Sequence, residues 1–302
     1  MVEVIENNPR ENSKPADISE TGSGFFMFQD LDLFSKAVEA EVGITFDFAA
    51  VVELNTNFLQ SAERYLIVDI KEYLGEITDN LLFLTEDKAF LFARTLPQLE
   101  NIKIFRSVLN KPFGRSTVLT FLTLSMVLNT YKQRLENLNN IIREMEENFD
   151  LVRYRTLSQD FERLHDRLEE YHDLLLQLQE SRYEQVNTEY VSFDYRVLIN
   201  ESLSVQGRCR RRLTTLKELR QDYETRATAD LNNRIARLND VVKRLTALTV
   251  LLMVPNLIAS HFGMNFARMP ELQMWWAYPA VVVAQILIVA VGFFAFKKMN
   301  WL

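Results

Sequence analysis

The sequence has few of the residues from which metal centres and redox sites are usually built. Its 302 residues include one cysteine and three histidines, which excludes an internal disulfide and a Cys-x-x-Cys pair. His165 and His172 are seven residues apart on one predicted helix face, but no third ligand accompanies them. Cys209 stands among arginines at 208 and 210–212, a setting that favours a reactive thiolate. We nevertheless interpret it as a spectator.

Glycine is scarce too, with eight residues in the whole chain. The sequence contains neither a Gly-rich phosphate loop nor a Ser-His-Asp order, so we expect no enzymatic activity and no organic cofactor. The net charge of −7 argues against nucleic acid as a partner. The tract from Arg208 to Val254 contains neither glycine nor proline, which predicts one unbroken helix with Gly207 as the nearest breaker.

Two long apolar stretches occupy the C-terminal sixty residues. Residues 277–296 carry no charged side chain and a single amide, Gln285. Twenty helical residues measure about 30 Å, the thickness of a bilayer's hydrocarbon core. Residues 245–262 are also long enough to span, although they include several polar side chains. We therefore predict two transmembrane helices and a lipid bilayer as partner.

The polar and flexible side chains of the first span share one predicted helix face. Their steps of three and four residues place on it Asn239, Val242, Thr246, Thr249, Met253, Asn256 and Ser260. Leu248 and Leu251 fall on other faces. Several copies around a water-filled lumen would solvate this stripe, while the second span faces lipid. The alternative is that small polar residues pack the two helices together.

Basic residues flank the two spans and predict their orientation. They precede the first span at Arg234, Arg237, Lys243 and Arg244 and follow the second at Lys297 and Lys298. The short connection has Arg268 alone. Because basic flanks stay in the cytoplasm, we expect both termini there, in a multi-pass protein of the cell membrane. Trp275, Trp276 and Tyr278 suit the outer interface and Trp301 the inner one.

The rest of the chain predicts an α+β cytoplasmic domain with long stalk helices, followed by the two transmembrane helices. Strand-like runs cover 65–70, 81–85 and 89–93, a helical pattern covers 31–40, and long helices fill 118–180. The predicted order is a mobile arm (1–24), an α/β domain (25–125), long cytoplasmic helices with the stalk (126–244), the first span (245–262), an external loop (263–276), the second span (277–296) and a basic cytoplasmic tail (297–302).

A series of short motifs surrounds the second predicted span. Gly263-Met264-Asn265 is followed by Met269-Pro270-Glu271-Leu272, a Trp-rich turn, Tyr278-Pro279, an apolar span and Lys-Lys-x-x-Trp-Leu. These residues resemble the C-terminal end of the CorA magnesium channels. The resemblance covers roughly residues 235–302. Phe262 stands where most members have Tyr. The resemblance implies a funnel-shaped homopentamer in which Mg²⁺ is both the transported and the regulatory ion, with Co²⁺ and Ni²⁺ as further candidates.

The chemistry of Mg²⁺ fits such a mouth. The ion exchanges its octahedral waters reluctantly, so a selective site presents acceptors to those waters. Asn265 offers an amide oxygen, and Gly263 permits a turn with positive φ at the helix end. Repeated around an axis, Asn265 becomes a ring of acceptors, and the resemblance implies that this ring is the external selectivity site for the hydrated ion. Met264 belongs to the same motif. Glu271 either adds negative charge that concentrates cations or is a solvated side chain beside Arg268.

The resemblance also places pore positions on Asn239, Val242, Leu245 and Met253. Carboxylates of the long helices are either solvated faces or clusters between subunits, and we assign no sensor ligand among them: Glu144, Glu146, Glu147, Asp150, Glu162, Asp166, Glu169, Glu170 and Asp173. Two rival functions stay open. One is a transporter of Zn²⁺ or another divalent ion in the same family, against which Met264 argues; the other is a membrane-tethered coiled-coil scaffold that conducts nothing.

Overall fold

The computed structural model describes residues 3–5, 24–97, 104–181, 183–264 and 274–301. Residues 3–5 are described by their backbone alone. The chain divides into two compact units, Met1–Arg220 and Gln221–Leu302. The predicted fold class is confirmed, because an α+β part is followed by long helices and by two helices that are long and apolar enough to cross a membrane.

The first unit contains one six-stranded mixed sheet. In chain order its strands are β1 (Glu3–Ile5), β2 (Phe25–Phe28), β3 (Phe58–Ser61), β4 (Leu66–Tyr73), β5 (Ile77–Leu84) and β6 (Ala89–Ala93). Their spatial order is β1-β2-β6-β5-β4-β3. The two pairs β1–β2 and β2–β6 are parallel, whereas the other three pairs are antiparallel.

Three predicted strands correspond to β4, β5 and β6, and the helical pattern at 31–40 corresponds to α1 (Leu31–Val42). Asp30 caps α1 by accepting from the amides of Asp32 and Leu33, and Gly43 ends it with a φ of 72°. Within the predicted mobile arm (1–24), residues 3–5 pair with β2. Residues 1–2 and 6–23 lie outside the described ones, so the mobility of the arm stays a prediction.

Helices cover both faces of the sheet. The bounds of the helices that follow α1 in this unit are α2 (Phe48–Val52), α3 (Arg106–Leu109), α4 (Gly114–Glu147), α5 (Leu151–Glu180) and a 3₁₀ turn (Thr188–Val191). One apolar cluster joins the sheet to α1 and α2 and includes Phe34 and Phe83. A larger cluster joins the opposite face to α4, α5 and the start of the next helix. This unit therefore has a core of its own.

Two buried polar side chains on β4 and α4, Lys71 and Tyr131, have specific partners. The hydroxyl of Tyr131 donates to the carbonyl of Lys71 at 2.6 Å, which ties α4 to β4. On the other face, Lys71 Nζ lies 2.6 Å from Asp69 Oδ2 and 2.5 Å from Asp79 Oδ1. The same ammonium donates to the carbonyl of Val52 at 3.1 Å, so an ion cluster stabilises the end of α2.

The longest helix, α6 (Ser192–Phe262), begins in the first unit and continues into the second. It contains the predicted tract 208–254, but the prediction that Gly207 breaks the helix is wrong. Val205 and Cys209 on either side of Gly207 are fully buried, and their packing outweighs the cost of about 1 kcal/mol for a helical glycine. After α6 comes α7 (Ala277–Lys298), which covers the second predicted span.

Candidate functional site

In the second unit, α7 packs against one face of α6. The α6 residues that are least exposed follow at steps of four, four, three and four: Ala247, Leu251, Pro255, Ile258 and Phe262. Ala247 is fully buried. On α7 the half-buried residues that face them include Gln285 and Gly292. A single contact stripe therefore runs along each helix.

From Pro279 to Phe296, the rest of α7 is apolar and mostly exposed. Val283, Leu287 and Val291 are 56%, 59% and 67% exposed. These apolar side chains form no hydrogen bonds with water, so this helix is better solvated by the hydrocarbon of a bilayer. Trp275 and Tyr278, at its N-terminal end, are 90% and 80% exposed. Their position fits an aromatic belt at a membrane interface.

The structure places every predicted pore-lining residue on the opposite side of α6 from this contact. All of the following are exposed on the single chain: Asn239, Val242, Leu245, Thr246, Thr249, Met253, Asn256 and Ser260. At about 100° per residue, the centre of this set lies roughly 180° from the centre of the α7 contact. Within one chain, the polar stripe therefore does not pack the two helices together.

The polar side chains of the stripe differ in the hydrogen bonds that they form. Thr246 and Thr249 each donate to the carbonyl four residues earlier, at 2.8 Å. These two protons need no further acceptor, although the oxygens can still accept. Asn256 and Ser260 form no side-chain hydrogen bond with any residue that the structure describes. Their polar groups need partners from water or from another chain, because lipid has none to offer.

Sequence reasoning missed the N-terminal continuation of this stripe. Leu231, Ile235 and Leu238 precede Val242 and Leu245 at steps of four and three. Their side chains are 57%, 46% and 64% exposed. The signal was available, since a repeat of four and three is the apolar pattern of a coiled coil. A stripe of exposed apolar side chains thus leads directly into the polar one.

The structure describes only Gly263 and Met264 of the residues predicted to form the ion-selective mouth. Gly263 ends α6 by donating its amide to the carbonyl of Ala259 at 2.9 Å. The expectation of a positive φ at Gly263 is wrong, because the described glycines with positive φ are Gly43 and Gly75. Met264 is 48% exposed. Asn265 and Glu271 lie outside the described residues.

The cysteine of the first unit and one of its histidines form contacts within the fold. Cys209 is buried 3.6 Å from the carbonyl of Phe161, and burial raises the pKa of its thiol to about 12, with Asp166 adding to the shift. A thiolate is thus disfavoured at neutral pH. His172 Nδ1 lies 2.7 Å from Ser202 Oγ. Within the described ranges, three His, Cys, Asp or Glu side chains nowhere converge as a metal site requires.

The acidic residues of α4 and α5 lie mostly on the surface. Exposed members are Glu144, Glu146, Glu147, Asp150, Glu162, Asp166, Glu169 and Asp173. Glu170 is half-buried and accepts from Arg167 at 2.6 Å. Asp150 caps α5 by accepting from the amide of Val152 at 2.8 Å. Two of the nine carboxylates therefore have a local structural role, and the others face outward from this chain.

Comparison with known proteins adds a family. The family model described as "CorA-like Mg²⁺ transporter protein" matches residues 48–298, most of the chain. The magnesium transport protein CorA of Campylobacter jejuni is 42% identical over 64 residues, which span 21% of this chain and 20% of that relative.

Two solved structures share the fold. The complete CorA magnesium transporter of Methanocaldococcus jannaschii aligns with a TM-score of 0.59 at 16% identity, covering 92% of this chain and 90% of that one. The cytoplasmic domain of ZntB from Vibrio parahaemolyticus aligns with a TM-score of 0.53 at 10% identity, covering 68% of this chain and 88% of that one. At these identities the likeness concerns the fold alone.

Proposed function

The chain belongs to the CorA-like Mg²⁺ transporter family, and from that premise we propose that it is a divalent-cation channel that carries Mg²⁺ into the cell. The observation that carries this proposal is the stripe from Asn239 to Ser260, which is exposed on the side of α6 that faces away from α7. A polar stripe on a membrane-length helix needs water or protein beside it. Co²⁺ and Ni²⁺ are further candidate ions.

A homo-oligomer provides the water. When copies of α6 surround an axis with their stripes inward, Thr246, Thr249, Asn256 and Ser260 line a hydrated lumen and α7 forms an outer, lipid-facing ring. The resemblance to the family favours five copies. Val242, Leu245 and Met253 would form apolar constrictions of this lumen, which can close a pore by dewetting.

The ion would be selected at the outer end of the lumen. Mg²⁺ keeps most of its waters when proteins bind it. A ring of Asn265 amides offers acceptors to those waters, and Gly263 and Met264 carry the ring at the end of α6. Glu271, in the same loop, would raise the local cation concentration. Both chain termini would be cytoplasmic, since basic residues flank the two spans.

Cytoplasmic Mg²⁺ would regulate the channel. The surface of α4 and α5 carries seven exposed carboxylates that have no structural role described above, and carboxylates from adjacent copies could share hydrated Mg²⁺. Bound ions would hold the copies together, and their loss would free repelling surfaces to move. No individual residue is assigned to this sensor.

The test is Mg²⁺ uptake by purified protein reconstituted in lipid vesicles. Asn265→Ala should reduce uptake to the level of empty vesicles, because it removes the ring of amide acceptors and leaves the spans unchanged. Asn233→Ala, at an exposed position on the side of α6 opposite the stripe, is the matched control and should transport normally. Both variants should have the mass of several subunits in detergent.

Three outcomes would contradict the proposal. Uptake at the parental level in Asn265→Ala would remove the selectivity role of that residue. Parental protein that carries Zn²⁺ and leaves Mg²⁺ outside would replace Mg²⁺ as the transported ion. A strictly monomeric protein, or one that conducts no divalent cation and fails to complement a magnesium-requiring bacterial strain, would favour the scaffold.

A further inference from the structure

The one amide side chain of α7 lies against the one proline of α6. Gln285 is half-buried, and its Nε2 donates to the carbonyl of Pro255 at 3.4 Å, a long hydrogen bond. Its neighbours Ile286 and Leu287 are 63% and 59% exposed. An amide without a hydrogen-bond partner is costly in hydrocarbon. Lipid also has no donor or acceptor that could compete for this hydrogen bond.

Pro255 is a weak point of α6. Proline has no amide hydrogen, so the carbonyl of Leu251 loses the donor that a regular helix would supply. Such positions bend readily unless neighbouring helices hold them. Pro255 also lies between Met253 and Asn256 of the proposed pore stripe. Any bend or rotation at Pro255 would therefore move Asn256 and Ser260 relative to Thr246 and Thr249.

A second contact lies one turn away. A Cβ atom added to Gly292 would come within 2.7 Å of Leu251 Cδ2. The absence of that Cβ lets α7 approach α6 closely at Leu251. The two helices are thus in contact at Leu251 and at Pro255, in the turn of α6 that lacks a backbone donor. The first attachment is apolar and the second directional, so the second can fix the rotation of α6 about its axis.

We propose that Gln285 is a positioning residue for the ion pathway. By donating to the Pro255 carbonyl it fixes the segment of α6 after Pro255, and so holds Asn256 and Ser260 toward the lumen. It does not touch the ion. This inference rests on the proposed function, because it takes the stripe of α6 to line the pathway.

The experiment compares two reporters on either side of the proline. Ser260→Cys and Thr246→Cys, each in a Cys209→Ser background, are labelled in vesicles with a water-soluble thiol reagent. Gln285→Met, which keeps the length of the side chain but removes the donor, should slow labelling of Ser260→Cys by roughly three- to fifteen-fold, the range for losing one interhelical hydrogen bond in a membrane. Thr246→Cys should change less than about twofold.

The matched control is Val283→Met, since Val283 faces away from α6 and is 56% exposed; it should change neither rate. In a Pro255→Ala background, where the helix regains its amide, Gln285→Met should lose most of its effect. A generally loosened bundle would instead change both reporters in either background. Gln285→Asn keeps an amide but cannot reach as far, and it carries the same expectation should Gln285→Met fail to insert.

Two results overturn the inference in distinguishable ways. If Ser260→Cys is labelled in the parent and neither Gln285 variant changes its rate, Gln285 does not position the pathway and the proposed function stands. If Ser260→Cys is not labelled in the parent, the stripe does not line a hydrated lumen. In that case the pore assignment and the inference fall together.

Discussion

The two compact units of this chain differ in how far their apolar side chains are buried. In the first unit Phe34, Leu82 and Leu164 are completely buried. In the second, Leu257 and Val291 are 68% and 67% exposed. The first unit has a core that forms against water, as a soluble domain requires. The second unit leaves most of its apolar surface for something outside the single chain to cover.

The second unit is itself divided into two kinds of exposed surface. The surface of α7 is apolar on nearly every side, as a lipid-facing helix requires. The exposed face of α6 is mainly apolar from Leu231 to Leu245, with Asn239 as a polar member, and mainly polar from Thr246 to Ser260, with Met253 as an apolar member. Lipid suits the first surface, whereas the second suits further copies of α6 and water. One chain thus specifies three different surroundings.

The contrast between the units is sharpest for a pair of leucines. Leu82→Ala, in the core of the sheet, should lower the free energy of unfolding by about 2–5 kcal/mol, because it leaves a cavity. Leu287→Ala removes the same atoms from a side chain that is 59% exposed, and should cost less than about 0.5 kcal/mol. Denaturant unfolding in mild detergent, followed by circular dichroism, measures both. Equal losses would mean that Leu287 is buried in the assembled protein, and the simple contrast would fail.

A buried carboxylate of the first unit allows a second test. Burial raises the pKa of Asp69 to about 6, despite its contact with Lys71. A raised pKa means that the folded state holds the proton more tightly than the unfolded chain, whose value is near 3.8. The stabilisation is complete below that pH and is lost as the pH rises through about 6. The loss should approach roughly 3 kcal/mol, at about 1.4 kcal/mol per pH unit.

The measurement is the free energy of unfolding between pH 4 and pH 7 in the parent and in Asp69→Asn. The asparagine cannot titrate, so its curve should lack the fall that Asp69 contributes. The absolute stabilities are not compared, because the substitution also weakens the contact with Lys71. Parallel curves would show that Asp69 keeps an ordinary pKa and that the ion cluster compensates fully for its burial.

Much of this fold was predictable from local pattern. The strands β4 to β6 alternate or cluster apolar residues between turn signals, and α1 has an amphipathic spacing with Asp30 before it and Gly43 after it. The helix through Gly207 was not predictable, because its stability comes from side chains buried by α5 and not from local propensity. The pairing of residues 3–5 with β2 depends likewise on a distant partner.

The candidate site was predictable to a different degree. A spacing of three and four predicts which residues share a face of α6, and the structure places that face away from α7. The spacing could not tell what covers the face, because several copies are needed to form a lumen. Nor could sequence pair Gln285 with Pro255, which lie thirty residues apart and meet through the packing of two helices. The roles of Asn265 and Glu271 remain predictions.

The smallest expected effect tests the division within the second unit. Single cysteines at stripe positions, in a Cys209→Ser background, should react with a water-soluble thiol reagent about tenfold faster than cysteines at Leu248 and Leu251. The stripe set is Thr246, Thr249, Met253, Asn256 and Ser260. Reaction needs water and a thiolate, and the structure packs Leu251 against Gly292. Leu248 is 50% exposed on the single chain, so its protection would have to come from lipid or a neighbouring copy.

Labelling with and without Mg²⁺ also tests whether the lumen closes at Met253. An apolar constriction excludes water when it narrows, so Met253→Cys should react more slowly than Ser260→Cys when Mg²⁺ is plentiful, and the gap should shrink when Mg²⁺ is removed. Constant rates at all positions would mean that the first span meets the same surroundings on every side. That result would erase the distinction between the polar face of α6 and the apolar faces around it, because a stripe that water does not reach cannot be the path of a hydrated ion.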